Sequence, residues 1–306
     1  MYKLIGKYHN LFLNLSKVFM AGGAVYFLWQ HKEIPHIWYQ SEQVLSFKIW
    51  LVILVLSTFN WFFEIKKWQV LASFIKPISL QTAAKQSLIS FSVSLLTPNR
   101  IGEYGAKSLF YPKKEFKNVL SLNFIGNMSQ LLITLIMGII GGIFLWKYLP
   151  ATFLQEGSIR QHHFLLGFVF LVLISFGVLW FKHRFFDAKK KIFDADIWQQ
   201  GIVYALVRYL IFSSQFVLLL YLLHSNVAVY RLFLAVWLTY LGAAIIPVLT
   251  FFDWAVKGSV AVSVLGLLHL PSPLIFKVVM LMWTGNFLIP FLIGSYLLWR
   301  HKPRQV

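Results

Sequence analysis

Six charged residues lie where a charge is costly. Arg100, Glu103 and Lys107 interrupt one apolar stretch, Asp253 and Lys257 interrupt another, and Arg208 lies well inside a third. A charged side chain at the bilayer centre costs roughly 2.5 to 3.5 kcal/mol on insertion scales, so such groups face a partner or a wet cavity. In both interruptions the acid precedes the lysine by four residues, the favourable order for an ion pair along a helix. Two chemistries fit. The pairs are local salt bridges that make a polar kink tolerable, or Arg100, Lys107 and Lys257, aided by free amides at half-helix N-termini, hold an anionic group such as a lipid phosphate. In the second case Glu103 and Asp253 balance charge or take protons. Arg208 needs a partner of its own, and Asp253, Glu103 or a lipid phosphate would serve.

Around these charges the backbone residues are those of a break. Pro98 and Pro247 remove a helical donor, and Gly102 permits unusual dihedrals. Thr97, Asn99 and Gly258 complete the candidate structural set. Asn123, Asn127, Gln130 and Asn286 lie in apolar stretches, where interhelical hydrogen bonding is the ordinary role of an amide side chain, and Gln215 lies seven residues after Arg208 on nearly the same helix face. Enzyme signatures are weak: Asp194-Ala195-Asp196 has an acid-x-acid form but adjoins Lys189 to Lys191, and His162-His163 lacks a nearby acidic or cysteine partner. Nucleotide-binding glycine loops and nucleophile elbows are absent from the sequence. No cofactor and no metal site are expected.

The elements that must position these residues are membrane helices. Of 306 residues, 58% are hydrophobic and 12% charged, against roughly 25% charged in a soluble domain. Mean hydropathy is +0.69, which excludes a soluble single domain. The net charge of +18 sits between apolar runs, where cytoplasmic loop bias and anionic lipid explain it better than nucleic acid. The chain has no cysteine, so disulfides and a thiol nucleophile are excluded.

Apolar windows predict spanning helices near 11–30, 46–65, 118–146, 163–181, 200–223 and 274–299. The first is read as a retained helix, since it is long and contains Lys17. Regions 80–111 and 230–271 read as pairs of half-helices, and non-helical backbone at that depth must be buried in protein or line a cavity. With both termini cytoplasmic, sixteen basic residues fall inside, Lys66 and Lys67 among them, and Lys32, Lys48, Lys147, Arg160 and Arg231 fall outside. That asymmetry supports the orientation. Charge bias does not separate re-entrant hairpins from full crossings; the short segments 82–97 and 258–270 favour hairpins.

The two breaks also match each other. Glu103-Tyr104-Gly105-Ala106-Lys107 aligns with Asp253-Trp254-Ala255-Val256-Lys257 at a constant offset of 150 residues. Each half then reads as two helices, a broken hairpin and one more helix, starting on opposite sides of the membrane. Inverted repeats of this kind place binding sites near the midplane and permit alternating exposure.

The run SLLTPNRIGEYGAKSLF, Ser94 to Phe110, resembles the Thr-Pro-Gly-Arg-x-Gly-Glu signature of the lysylphosphatidylglycerol synthase transmembrane, or flippase-like, integral membrane family. Thr97, Pro98, Arg100, Gly102 and Glu103 match it, and Asn99 replaces the usual glycine. The run Ile245 to Gly266 resembles that family's later Pro-rich motif through Pro247 and Lys257-Gly258, with Phe251 and Phe252 where glycines are common. The resemblance implies an integral membrane domain that moves lipids between leaflets or handles polyprenyl-linked sugars. The aminoacyl-transferring domain of the namesake synthases has no counterpart in the sequence.

The reading is therefore a single all-α polytopic membrane helix bundle over 1–306. It has two inverted repeats, 1–150 and 151–306, with about six spanning helices plus two broken re-entrant hairpins. It is expected to be a lipid translocase of a bacterial inner membrane, with membrane lipids carrying anionic head groups as partners and a second copy of the chain as a further possible one. The substrate-binding candidates are Arg100, Glu103, Lys107, Arg208, Asp253 and Lys257. The alternatives are a membrane-embedded enzyme or accessory subunit acting on lipid-linked sugars, and a scaffold for another membrane protein.

Overall fold

The structure is a computed structural model that describes residues 46–145 and 195–300, apart from positions 96, 98, 99, 224, 225, 247 and 249. The expected helices 11–30 and 163–181 lie outside the described residues, as do Pro98, Asn99, Pro247, Asp194 and the pair His162-His163.

Helices account for the described architecture. Helix α1 is Phe47–Ser73, α2 Leu80–Ser94, α3 Ile101–Ser108 and α4 Phe116–Leu145. After the second set of expected loops come α5 (Ala195–Leu222), α6 (Val229–Ile245), α7 (Asp253–Gly266) and α8 (Ser272–Arg300). Helices α1, α5 and α8, and α4 with the short turn before it, are long and apolar enough to cross a bilayer. Their outward faces carry Leu, Ile, Phe and Tyr, while Asn60, Glu64, Lys67, Glu103, Lys107 and Gln215 are buried. Charge inside and hydrocarbon outside is the distribution that lipid imposes. The protein is an integral membrane helix bundle.

Helix lengths follow one scheme twice: 27, 15, 8 and 30 residues for α1 to α4, then 28, 17, 14 and 29 for α5 to α8. Packing is reciprocal. Helix α6 lies on α4, and its counterpart α2 lies on α8. Both contacts depend on a glycine at a matching place. A side chain at Gly138 of α4 would collide with Leu241 of α6, and one at Gly294 of α8 would collide with the Leu88 carbonyl and Ser92 of α2. Helices α1 and α5 run antiparallel. Ile53 and Ser57 meet Gln215, Asn60 and Glu64 meet Arg208, and Phe63 meets Tyr204.

The breaks have local causes. Ser79 caps α2 by accepting the Thr82 amide at 3.2 Å. Beyond α2, Thr97 takes over the role of the helix: its hydroxyl accepts the Gly102 amide at 2.8 Å and donates to the Ser94 carbonyl at 2.8 Å. A Cβ at Gly102 would press on the Thr97 side chain, so glycine is required there by space. The Thr250 hydroxyl, from the second break, donates to the Thr97 carbonyl at 3.1 Å, which ties the two breaks together. Helix α3, with eight residues, is about 12 Å long and cannot cross a bilayer alone.

Helix α8 holds a further irregularity, a π turn at Thr284–Leu288. Pro290 has no amide to give the Asn286 carbonyl four residues earlier. The Trp61 indole donates to that carbonyl instead, at 3.0 Å. Single π turns frequently mark functional sites, and this one presents the Asn286 side chain to α1 and α5.

Candidate functional site

A cavity of about 300 Å³ opens where the two breaks meet α1, α5, α6 and α8. Arg100, Arg208, Asp253 and Lys257 line it, together with Asn60, Thr250 and Asn286 and an aromatic wall that includes Trp61, Phe91, Tyr240 and Trp283. Four of the six charged residues expected at the site therefore converge on one space. The other two do not reach it: Glu103 and Lys107 lie behind Arg100, buried in the packing of α3 against α4 and α1.

The charges are organised as two triads, each base–acid–base. In the first, Glu103 accepts from Lys107 at 2.7 Å and pairs with Arg100 at 3.1 Å. Lys107 also donates to Asn123 at 2.8 Å and stands 4.1 Å from the centre of the Trp68 ring. In the second, Glu64 pairs with Lys67 at 2.8 Å and with Arg208 at 2.9 Å. The lysines and carboxylates are at most 5% exposed, whereas Arg100 and Arg208 are 29% and 20% exposed. Burial inside and exposure toward the cavity divide the labour: the lysine neutralises the acid, and the acid aims the arginine.

A chain of amides extends from Arg208. Its guanidinium donates to Asn60 at 3.1 Å and to Gln130 at 3.3 Å. Asn60 donates to Asn286 at 2.7 Å, Asn286 to Gln215 at 2.9 Å, and Gln215 to Ser57 at 2.9 Å. Gln215 also donates to the Ile53 carbonyl and Asn286 to the Met282 carbonyl, so four helix segments are held in register by amide side chains paired within the bundle. Arg100 packs over the Phe91 ring at 5.0 Å. Among the described residues its Nε and the Trp283 indole nitrogen are buried without a hydrogen-bond partner.

The second break is built differently. Asp253 pairs with Lys257 at 2.6 Å, and these side chains are 31% and 34% exposed. Lys257 stands 5.7 Å from the Phe212 ring centre. The equivalent pair of the first half is sealed and that of the second is open.

Several expectations are corrected by this geometry. Arg208 pairs with Glu64, neither with Asp253 nor with Glu103, because antiparallel α5 sets residue 208 opposite residues 60 to 64 of α1. Lys67 is no loop residue: α1 continues to Ser73 and buries it. Lys107 is a buried counter-charge and does not line the cavity. Gly258 lies inside α7, beyond the break, where it is buried. Asn123, Asn127 and Gln130 all make interhelical contacts, Asn127 by donating to the Tyr104 hydroxyl at 3.1 Å.

Sequence reasoning passes over Glu64 and Lys67. A signal existed: Glu64 and Lys67 are three residues apart at the end of an apolar run, and a mid-span arginine demands an acid somewhere. The hydropathy window ends the span at residue 65, and that boundary hid the pair.

No protein-family profile, curated protein or solved structure matches this chain. The functional reading therefore rests on the cavity itself.

Proposed function

We propose that the protein is a flippase-like lipid translocase that moves an anionic phospholipid or lipid-linked intermediate between leaflets through this cationic midplane groove. One observation carries the reading: Arg100, Arg208 and Lys257 converge on one cavity where the two breaks meet the long apolar helices. Arginine suits phosphate oxygens through its planar set of N–H donors. The acyl chains remain in hydrocarbon while the head group crosses in the cavity. Inverted halves supply the means of alternation, since exchange of their conformations seals one break and opens the other. A bacterial inner membrane with cytoplasmic termini is the setting that the motif resemblance and the loop charges favour.

The alternative, an enzyme or accessory subunit acting on lipid-linked sugars, is favoured by the aromatic wall, since rings stack on sugar faces. Asp253 is the one carboxylate among the residues lining the cavity, and it is engaged by Lys257.

The test is reconstitution in liposomes with fluorescent anionic and zwitterionic lipids, reading how fast each becomes accessible to an external quencher. Accelerated exchange of the anionic lipid that disappears in Arg100→Ala supports a translocase. Unchanged exchange in the Arg100→Ala, Lys257→Ala double variant removes this site from the mechanism.

A further inference from the structure

The two triads carry an unequal charge count. Glu103 is shared by Lys107 and Arg100, and Glu64 by Lys67 and Arg208, so four cations meet two carboxylates. The triads are close enough for Glu64 to sense both Arg100 and Lys107. The pair Asp253 and Lys257 adds no net charge. Among the described residues the network around the cavity therefore holds two positive charges in excess, and each triad contributes one of them through an arginine that faces the cavity. Excess charge in a low-dielectric interior is costly, and a ligand that cancels it gains most.

Building on the translocase reading, we infer that the site is matched to a doubly charged phosphate, a phosphomonoester or diphosphate head group, rather than to the singly charged phosphodiester of common phospholipids. A monoester presents three terminal oxygens, enough for the remaining N–H donors of each arginine and one further donor, and Lys257 also lines the cavity. A diester has two free oxygens and one charge, so it leaves one arginine uncompensated. Lys67 and Lys107 act on this choice without touching the ligand. By neutralising Glu64 and Glu103 they leave both arginine charges undiminished, which makes them positioning and charge-setting residues.

The test is calorimetric titration of the full chain in detergent with three probes: short-chain phosphatidic acid, short-chain phosphatidylglycerol and inorganic phosphate. At about pH 8 the phosphomonoester lipid should bind roughly tenfold or more tightly than the diester. Its second proton leaves near pH 6, so the advantage should fade as pH falls through about 6, while diester binding, measured alongside, reports any titration of the protein itself. Lys67→Met should lower the monoester-to-diester ratio toward one, and Lys67→Arg should keep it. The lysine does not touch the cavity, so general damage would weaken both lipids alike and leave the ratio in place. Equal affinity for the two lipids at every pH overturns the inference, whatever the exchange assay shows. Inorganic phosphate binding as tightly as the lipid, with a pH step at its own second ionisation, upholds the match to a doubly charged phosphate and places the failure in the lipid-transport reading. Should Lys67→Met not fold, the pH step of the unaltered chain decides alone.

Discussion

Arg100 occupies the left-handed region at φ 60° and ψ 27°, a conformation that costs a non-glycine residue about 1 to 2 kcal/mol. The strain sits at the last residue of the break, the N-cap of α3, on the side chain that faces the cavity, and the Glu103 pair holds it there. Arg100→Gly separates backbone from charge. Relief of the left-handed strain offsets the added unfolded-state freedom of glycine, about 0.4 to 1 kcal/mol, and Lys107 still neutralises Glu103 after the Arg100 pair is lost, so the Tm in detergent should fall only modestly. Lipid exchange should be lost all the same. Glu103→Ala should be the more damaging change to the fold, because it leaves Lys107 and Arg100 without their shared acid. Breaking a buried pair in this way costs about 3 to 5 kcal/mol, and thermal unfolding in detergent would show it as the larger fall in Tm. Glu103→Gln keeps a hydrogen-bond acceptor and should lose less.

Helix α8 shows how an element places a residue. Pro290 withholds an amide, the helix widens into a π turn, and Asn286 swings onto Asn60 and Gln215 while Trp61 satisfies its carbonyl. Pro290→Ala restores the amide and permits a regular helix. The expected outcome is a small change in Tm with a marked fall in exchange rate, since the amide chain that holds Arg208 loses its register. The glycine contacts answer to a different force. Gly294→Leu would drive a side chain into the Leu88 carbonyl, and overpacking of that kind typically costs about 1 to 3 kcal/mol. Its counterpart Gly138→Leu should cost a similar amount. A clear loss at one position and none at the other in thermal melts would argue against the reciprocal packing of the two halves.

For the molecule as a whole, the informative difference is between two equivalent ion pairs. Glu103 and Lys107 are buried, whereas Asp253 and Lys257 are about a third exposed. If the halves exchange conformations during transport, the structure is one of two end states. The chain contains no cysteine, so Lys107→Cys and Lys257→Cys give clean single-site reporters. With a water-soluble thiol reagent, Lys257→Cys should react quickly and Lys107→Cys slowly, and an added transported lipid should narrow the gap. Reactivities that ignore the lipid would count against exchange of the two halves.

Hydropathy and periodicity were sufficient to place a helical membrane bundle, because lipid demands long apolar segments with internally satisfied backbones. The two breaks were also legible, since proline, glycine and charge inside an apolar run are rare and local. Partner choice was not. Arg208 had three candidate partners in sequence and took Glu64, because the antiparallel crossing of α1 and α5 sets those residues at one level. Lys107 looked like a ligand-binding cation and became a buried counter-charge, because α3 packs it against Asn123 and the Trp68 ring. A sequence determines which segments enter the membrane and which residues are expensive there. Which of those residues neutralise one another, and which keep their charge for a ligand, depends on distances of a few ångströms between helices far apart in the chain, and only the packed tertiary structure sets those distances.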